Sequence, residues 1–149
     1  MAFPAMKIDQ EPGAARRFGT ADLSKHGGWI MRRLLKAYPH QNERGLASWL
    51  RETINNNSSL FLCTDYGVAL FQVSSVSSLE HKPWVWERFV FAEVEYEKEG
   101  AEFYSKALEW AKNQGIKRII VNQLTDIPLD LIKAKFGGLS TWQMIFAKV

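Results

Sequence analysis

Carboxylates recur through one aromatic-rich stretch of the sequence, WVWERFVFAEVE, which begins at Trp84. Alternate residues of a β-strand point to the same face of a sheet. The residues expected to share one face are Glu87, Phe89, Phe91, Glu93 and Glu95. A positioned carboxylate can act as a general base. The face is therefore either a pocket wall with an acid at each end, or a half-buried strand with exposed ends.

A second chemical feature follows at the turn into the predicted helix, Gly100 to Asn113. A helix N-terminus presents free N–H groups and the positive end of the helix dipole, which suits a phosphate. This turn, however, carries Glu95, Glu97 and Glu99, with Lys98 as its only cation. Carboxylates repel a phosphate, but they also stabilise a helix start through the dipole. A structural reading without phosphate thus stands beside the binding one.

A strand–helix–strand unit positions these residues. Its parts are the strand from Trp84 to Val94, the helix and a second strand from Lys117 to Gln123. Such a unit is most simply a right-handed crossover with parallel strands. Gly115 suits the end of the helix.

The rest of the chain supplies further strands and helices. Patterning predicts a helix through Trp29 to Ala37, capped by Asp22 or Ser24, and a second helix from Glu43 to Asn55, capped by Asn42. A hairpin of Ser59–Thr64 and Val68–Val76 follows, with Gly67 at positive φ in its turn. The chain then forms a short helix from Thr125 to Lys135, capped by Asp126, and a final strand from Thr141 to Val149. The predicted order is β-α-α-β-β-β-α-β-α-β, an α/β chain with a mixed, mainly antiparallel sheet. Residues 1–17 are expected to be a flexible arm, and residues 18–149 one domain.

Composition narrows the classes of function. The 149 residues are 46% hydrophobic with net charge +3, which is globular and too weakly basic to indicate nucleic-acid binding. The densest basic cluster, Arg32, Arg33 and Lys36, is expected to be a solvated helix face. No apolar run suits a membrane span, no secretory signal is seen, and Cys63 is the only cysteine. We expect a cytoplasmic protein without a metal site.

The segment ALEWAKNQGIKRIIV, from Ala107 to Val121, resembles the third helix and fifth strand of GCN5-related N-acetyltransferases, the GNAT superfamily. The strand that ends near Glu93 and Glu95 is similar to that family's fourth strand. The resemblance extends weakly from Phe18 to Val149. It implies a GNAT-like fold, with acetyl-CoA in the gap between strands four and five and an amine as acyl acceptor.

The resemblance also implies site residues. The pantetheine arm would pair with the backbone of Phe91, Ala92, Glu93 and Val94, and the pyrophosphate would meet Lys98, Glu99, Gly100 and Ala101. In the family's Gln/Arg-x-x-Gly-x-Gly/Ala motif, only Gly100 matches here. A glutamate of strand four, Glu87 or Glu93, would be the base.

The family's general acid, a tyrosine of the fourth helix, falls on Lys133 or Ala134. Tyr66, Tyr96, Tyr104 and Cys63 are the candidate substitutes.

The alternative is a catalytically inactive binding or structural protein, similar to the degenerate members encoded by tailed bacteriophages. It would act in the host cytoplasm or in the virion. The arm and the Trp-rich strand would then contact a protein assembly or a second copy of the chain.

Overall fold

The computed structural model describes residues 16–17, 20–74, 83–137 and 143–146. The strands are β1 (Arg16–Arg17), β2 (Ser59–Thr64), β3 (Gly67–Ser74), β4 (Trp84–Ala92), β5 (Arg118–Val121) and β6 (Gln143–Phe146). The helices are α1 (Thr20–Ala37), α2 (Glu43–Ile54), α3 (Glu97–Asn113) and α4 (Leu129–Lys135). This order confirms the predicted one. The last two residues of the predicted arm form β1, and the remainder of the arm lies outside the described residues.

The six strands form one mixed sheet in the order β1-β2-β3-β4-β5-β6. Strands β1 to β4 pair antiparallel, whereas β4–β5 and β5–β6 are parallel. The sheet is therefore mainly antiparallel, and the predicted parallel crossover through α3 is confirmed. Helices α1 and α2 cover one face of the sheet and α3 and α4 the other, with a separate apolar core under each pair.

The sequence predicted the start of α2 correctly and the starts of α1 and α3 incorrectly. Asn42 caps α2 as predicted, since its side chain accepts the Gly45 N–H at 2.6 Å. Helix α1 begins two residues before Asp22, so Asp22 and Ser24 lie inside it and neither is its cap. Helix α3 begins three residues earlier than predicted.

Gly67 is needed for close packing and not for a left-handed turn. It starts β3, and Gly115 is the only described glycine with positive φ. A Cβ at position 67 would lie 3.1 Å from the Phe91 carbonyl oxygen and 3.0 Å from the Phe103 ring. The predicted positive φ at Gly67 is therefore wrong, because the limit on this position is space.

A β-bulge at Arg88 changes the faces of β4. Leu70 pairs with Phe89, but Phe71 pairs with Glu87, so Arg88 is an extra residue on its strand. A bulge shifts the alternation of side chains by one position. The predicted common face is therefore wrong: Glu87 points to the α3 face, whereas the two phenylalanines that follow it pack under α1 and α2.

Candidate active site

Strands β4 and β5 separate immediately before Glu87. They pair at Val85–Ile119 and Trp86–Ile120, and no further pair joins the two strands. Asn122 then adopts a φ of 61°, a left-handed conformation that asparagine tolerates. The chain after β5 therefore turns away from its strand direction at the level of Glu87.

Glu87 is fully buried and holds this turn through four hydrogen bonds. The Tyr104 hydroxyl and the Asn122 N–H (3.0 Å) donate to its Oε1. The N–H groups of Gln123 (2.6 Å) and Leu124 (2.8 Å) donate to its Oε2. A carboxylate offers about four acceptor sites, so each site of Glu87 is already used.

Burial shifts the pKa values of Glu87 and of its hydrogen-bond partner Tyr104. It raises the pKa of Glu87, and the hydrogen bonds from Tyr104 and the turn offset only part of that rise. Burial and the neighbouring Glu87 raise the pKa of Tyr104 well above its ordinary value. The Tyr104 hydroxyl also lies 3.1 Å from Thr125 Oγ1. A protonated Glu87 can therefore donate to Tyr104 while the tyrosine proton turns to Thr125.

The segment from Leu124 to Asp126, here called the 124–126 segment, lies along the free edge of β4. The Val90 N–H donates to the Leu124 carbonyl oxygen (2.9 Å), and the Asp126 N–H donates to the Val90 carbonyl oxygen (3.0 Å). The Ala92 N–H donates to Asp126 Oδ2 at 3.0 Å. Arg33 of α1 forms an ion pair with the other oxygen of Asp126. This edge of β4 is thus paired within the chain.

Asp126 therefore does not cap α4, as the sequence predicted, because its carboxylate is engaged by β4 and α1. Helix α4 begins later, at Leu129, with Pro128 before it. Arg33 likewise differs from its prediction: it is half-buried and packs over the Phe91 ring at 4.7 Å. Only Arg32 and Lys36 of that basic cluster are exposed.

The residues predicted for pantetheine differ widely in exposure. Phe91 is fully buried, and Ala92 ends β4. Glu93 and Val94 lie beyond the strand, with Val94 81% exposed. The Glu93 N–H donates to the Tyr66 carbonyl oxygen (2.9 Å), which ties this chain end to the β2–β3 turn.

The residues predicted for pyrophosphate form the first turn of α3. Lys98 and Glu99 are exposed, whereas Ala101 is buried in the core. A Cβ at Gly100 would lie 2.5 Å from Ile127 Cδ1. Helix packing alone therefore accounts for the glycine at position 100.

A cavity of about 390 Å³ opens beside Glu87, between the end of α1, the start of α2 and β4. Its lining residues are Leu34, Tyr38, Gln41, Gly45, Leu46, Trp49, Trp86, Glu87, Arg88 and Gln123. The volume falls in the range of small-molecule pockets. Trp86 and Arg88, two residues apart on β4, both lie on this side of the sheet.

Solved structures share this architecture. Aminoglycoside 6'-N-acetyltransferase AAC(6')-Ih from Acinetobacter baumannii matches with a TM-score of 0.54 and 20% identity, over 91% of this chain and 97% of that chain. Apo AAC(6')-IG from Acinetobacter haemolyticus matches with a TM-score of 0.53 and 14% identity, over 91% and 94%. The fold is GNAT-like. Neither a family model nor a curated protein matches the chain, so the likeness is one of fold.

No tyrosine stands at the α4 position to which the resemblance assigns a general acid, where Lys133 and Ala134 are exposed. Of the candidate substitutes, Tyr66 and Tyr96 stack on each other at 3.9 Å at the far end of β4. Tyr104 alone donates to Glu87 among the described side chains. In the described part of the chain, no helix is long and apolar enough to cross a bilayer.

Proposed function

We propose that this protein is an N-acyltransferase that moves an acetyl group from acetyl-CoA to an amine. One observation carries the proposal. In a GNAT-like fold, Glu87 lies where β4 and β5 separate and lines a cavity of about 390 Å³, with its carboxylate buried against Tyr104 and the turn after β5. The two neighbours with this fold are aminoglycoside N-acetyltransferases by name.

Glu87 is the base in this proposal. An amine must lose a proton to attack a thioester, and the raised pKa of Glu87 makes its carboxylate a stronger proton acceptor. One acceptor position of its Oε1 is freed for this role when the Tyr104 hydroxyl turns to Thr125, which lies within 3.1 Å, while the Asn122 N–H keeps the other. Glu93 is the alternative base, but it is exposed beyond the end of β4 and does not line the cavity.

Donor binding as the resemblance implies would use the backbone of Phe91 to Val94 and the turn from Lys98 to Ala101. The Ala92 N–H is already bonded to Asp126, however, and Glu97 and Glu99 stand in the first turn of α3. The donor arm would thus pair with β4 only after the 124–126 segment leaves that edge.

The same pairing favours a second candidate, a catalytically inactive GNAT-fold protein that binds a partner. In that case the 124–126 segment permanently occupies the gap between β4 and β5 in which acetyl-CoA would bind. A contact through residues 1–17, a relation to phage-encoded proteins and a cytoplasmic or virion location stay predictions within this candidate.

Acetyl-CoA binding separates the two candidates. We would titrate the ligand to millimolar concentration at low salt and follow the melting temperature. At about 100 times its dissociation constant it should stabilise the fold by about 2.7 kcal/mol, a shift of several degrees. No shift at millimolar acetyl-CoA contradicts the enzyme proposal.

If the ligand binds, release of free CoA thiol would be measured with a panel of amines. Glu87→Gln should lower turnover about 10²-fold, as expected for loss of a general base. Glu93→Gln is the matched variant, the same change at an exposed site. A loss confined to Glu93→Gln would move the base to that residue.

A further inference from the structure

The cavity beside Glu87 is lined by one cation, Arg88. The Arg88 guanidinium lies 5.3 Å from the Trp49 ring and 4.6 Å from the Trp86 ring. Among the residues that the structure describes, no carboxylate forms an ion pair with it. Burial lowers the pKa of Arg88, since a charge removed from water is costly without a partner. The folded chain therefore holds this charge at the cavity wall, where two indole rings and the nearby Tyr38 offset part of its burial.

The polar groups around Arg88 are rich in hydrogen-bond donors. Stacking on aromatic rings uses the face of a guanidinium and leaves its N–H edges available. The Trp86 Nε1 is also buried and has no hydrogen-bond partner. Such a donor normally has an acceptor. Glu87 is the only acidic residue among those that line the cavity, and its carboxylate is turned to Tyr104 and to the turn after β5.

We propose that the acyl acceptor is a small amine that also carries an oxyanion, a carboxylate or a phosphate ester, and that Arg88 binds this group. An oxyanion supplies the negative charge that Arg88 lacks, and arginine binds it through two parallel hydrogen bonds. The amine end of the acceptor would then lie along the cavity wall to which Glu87, the next residue of β4, contributes. The inference rests on the proposed function for the fate of the amine, but binding of the anion needs no donor.

An anion-binding Arg88 should disfavour acyl acceptors that carry several positive charges. A compound with several ammonium groups would bring positive charge against Arg88, and like charges disfavour association. An amino acid in its zwitterionic form matches the wall better, because its carboxylate meets Arg88 and it carries only one ammonium group.

The test is calorimetric titration of the full chain without acetyl-CoA. The probes are the common L-amino acids, each paired with its decarboxylated amine, and phosphoethanolamine. The best acid should bind at least about tenfold tighter than its decarboxylated partner, the usual effect of a hydrogen bond to a charged group. Arg88→Met should remove the same factor. Arg118→Met is the matched control, since Arg118 also stacks on a tryptophan, Trp84, at 3.8 Å, but outside the cavity.

Each outcome decides the inference. Tighter binding of amino acids supports a carboxylate, and binding of phosphoethanolamine alone supports a phosphate. The inference is overturned if no probe binds at millimolar concentration, if the decarboxylated amines bind equally well, or if Arg88→Met keeps the affinity. The paired ligands decide on the wild-type chain even if that variant unfolds. Amino-acid binding without any acetyl transfer would instead reject the proposed function and leave the anion site standing.

Discussion

Replacing Glu87 by methionine should loosen the turn after β5. Methionine is close in size to glutamate but accepts no hydrogen bond of comparable strength, so three amide N–H groups of the turn lose their acceptor. An orphaned donor costs about 1–3 kcal/mol. We take the lower end for each because these residues are half-buried and water can replace part of the loss. Glu87→Met should therefore lower the free energy of unfolding by about 3 kcal/mol.

Glu87→Gln is the matched comparison, because it is also neutral but keeps one acceptor oxygen. That oxygen can serve the N–H groups of Gln123 and Leu124, so the methionine variant should be about 2 kcal/mol less stable than the glutamine variant. Urea unfolding gives the energies, and hydrogen exchange at the three amides locates the change. A difference between the variants below about 0.5 kcal/mol, with protection of those amides unchanged, would refute the view that the carboxylate holds the turn.

The remaining predictions concern pH and the 124–126 segment. Because the folded pKa of Glu87 is raised above its ordinary value of 4.5, its contribution to stability is present below that value and is lost as pH rises through the folded pKa. Urea unfolding should show that the stability difference between wild type and Glu87→Gln narrows as pH rises. A difference that widens would mean that folding lowers the pKa of Glu87 instead of raising it. Asp126→Asn should cost about 1 kcal/mol, since its ion pair with Arg33 is partly exposed. It should also tighten acetyl-CoA binding by releasing the β4 edge, whereas the exposed Asp130→Asn should not; equal affinities in the two variants would contradict competition for that edge.

Sequence periodicity was sufficient for the architecture. Apolar spacing and the Asn42 cap predicted α2, and the strand–helix–strand unit around α3 predicted the parallel pairing of β4 with β5. Those features depend on local pattern and on the handedness of crossovers. The resemblance added the topology that the structure shows.

The site was less accessible to sequence reasoning, for an identifiable reason. One inserted residue, Arg88, puts Phe89 on the face opposite to Glu87, and a bulge leaves no composition signal in a single sequence. Asp126 carried the signature of a helix cap but pairs with Arg33, 93 residues away. Such long-range pairings arise from the fold and cannot be obtained from spacing along the chain.

Loss of turnover in Glu87→Gln would have two origins, because Glu87 is both the proposed base and an anchor of the turn. Asp126 holds the adjoining 124–126 segment from the opposite side, through Ala92 and Arg33. Asp126→Asn therefore loosens the segment without changing the carboxylate of Glu87. If Asp126→Asn keeps its turnover while Glu87→Gln loses about 10²-fold, proton transfer accounts for the loss. If both variants lose turnover equally, Glu87 acts by positioning the segment, and the base must be sought elsewhere.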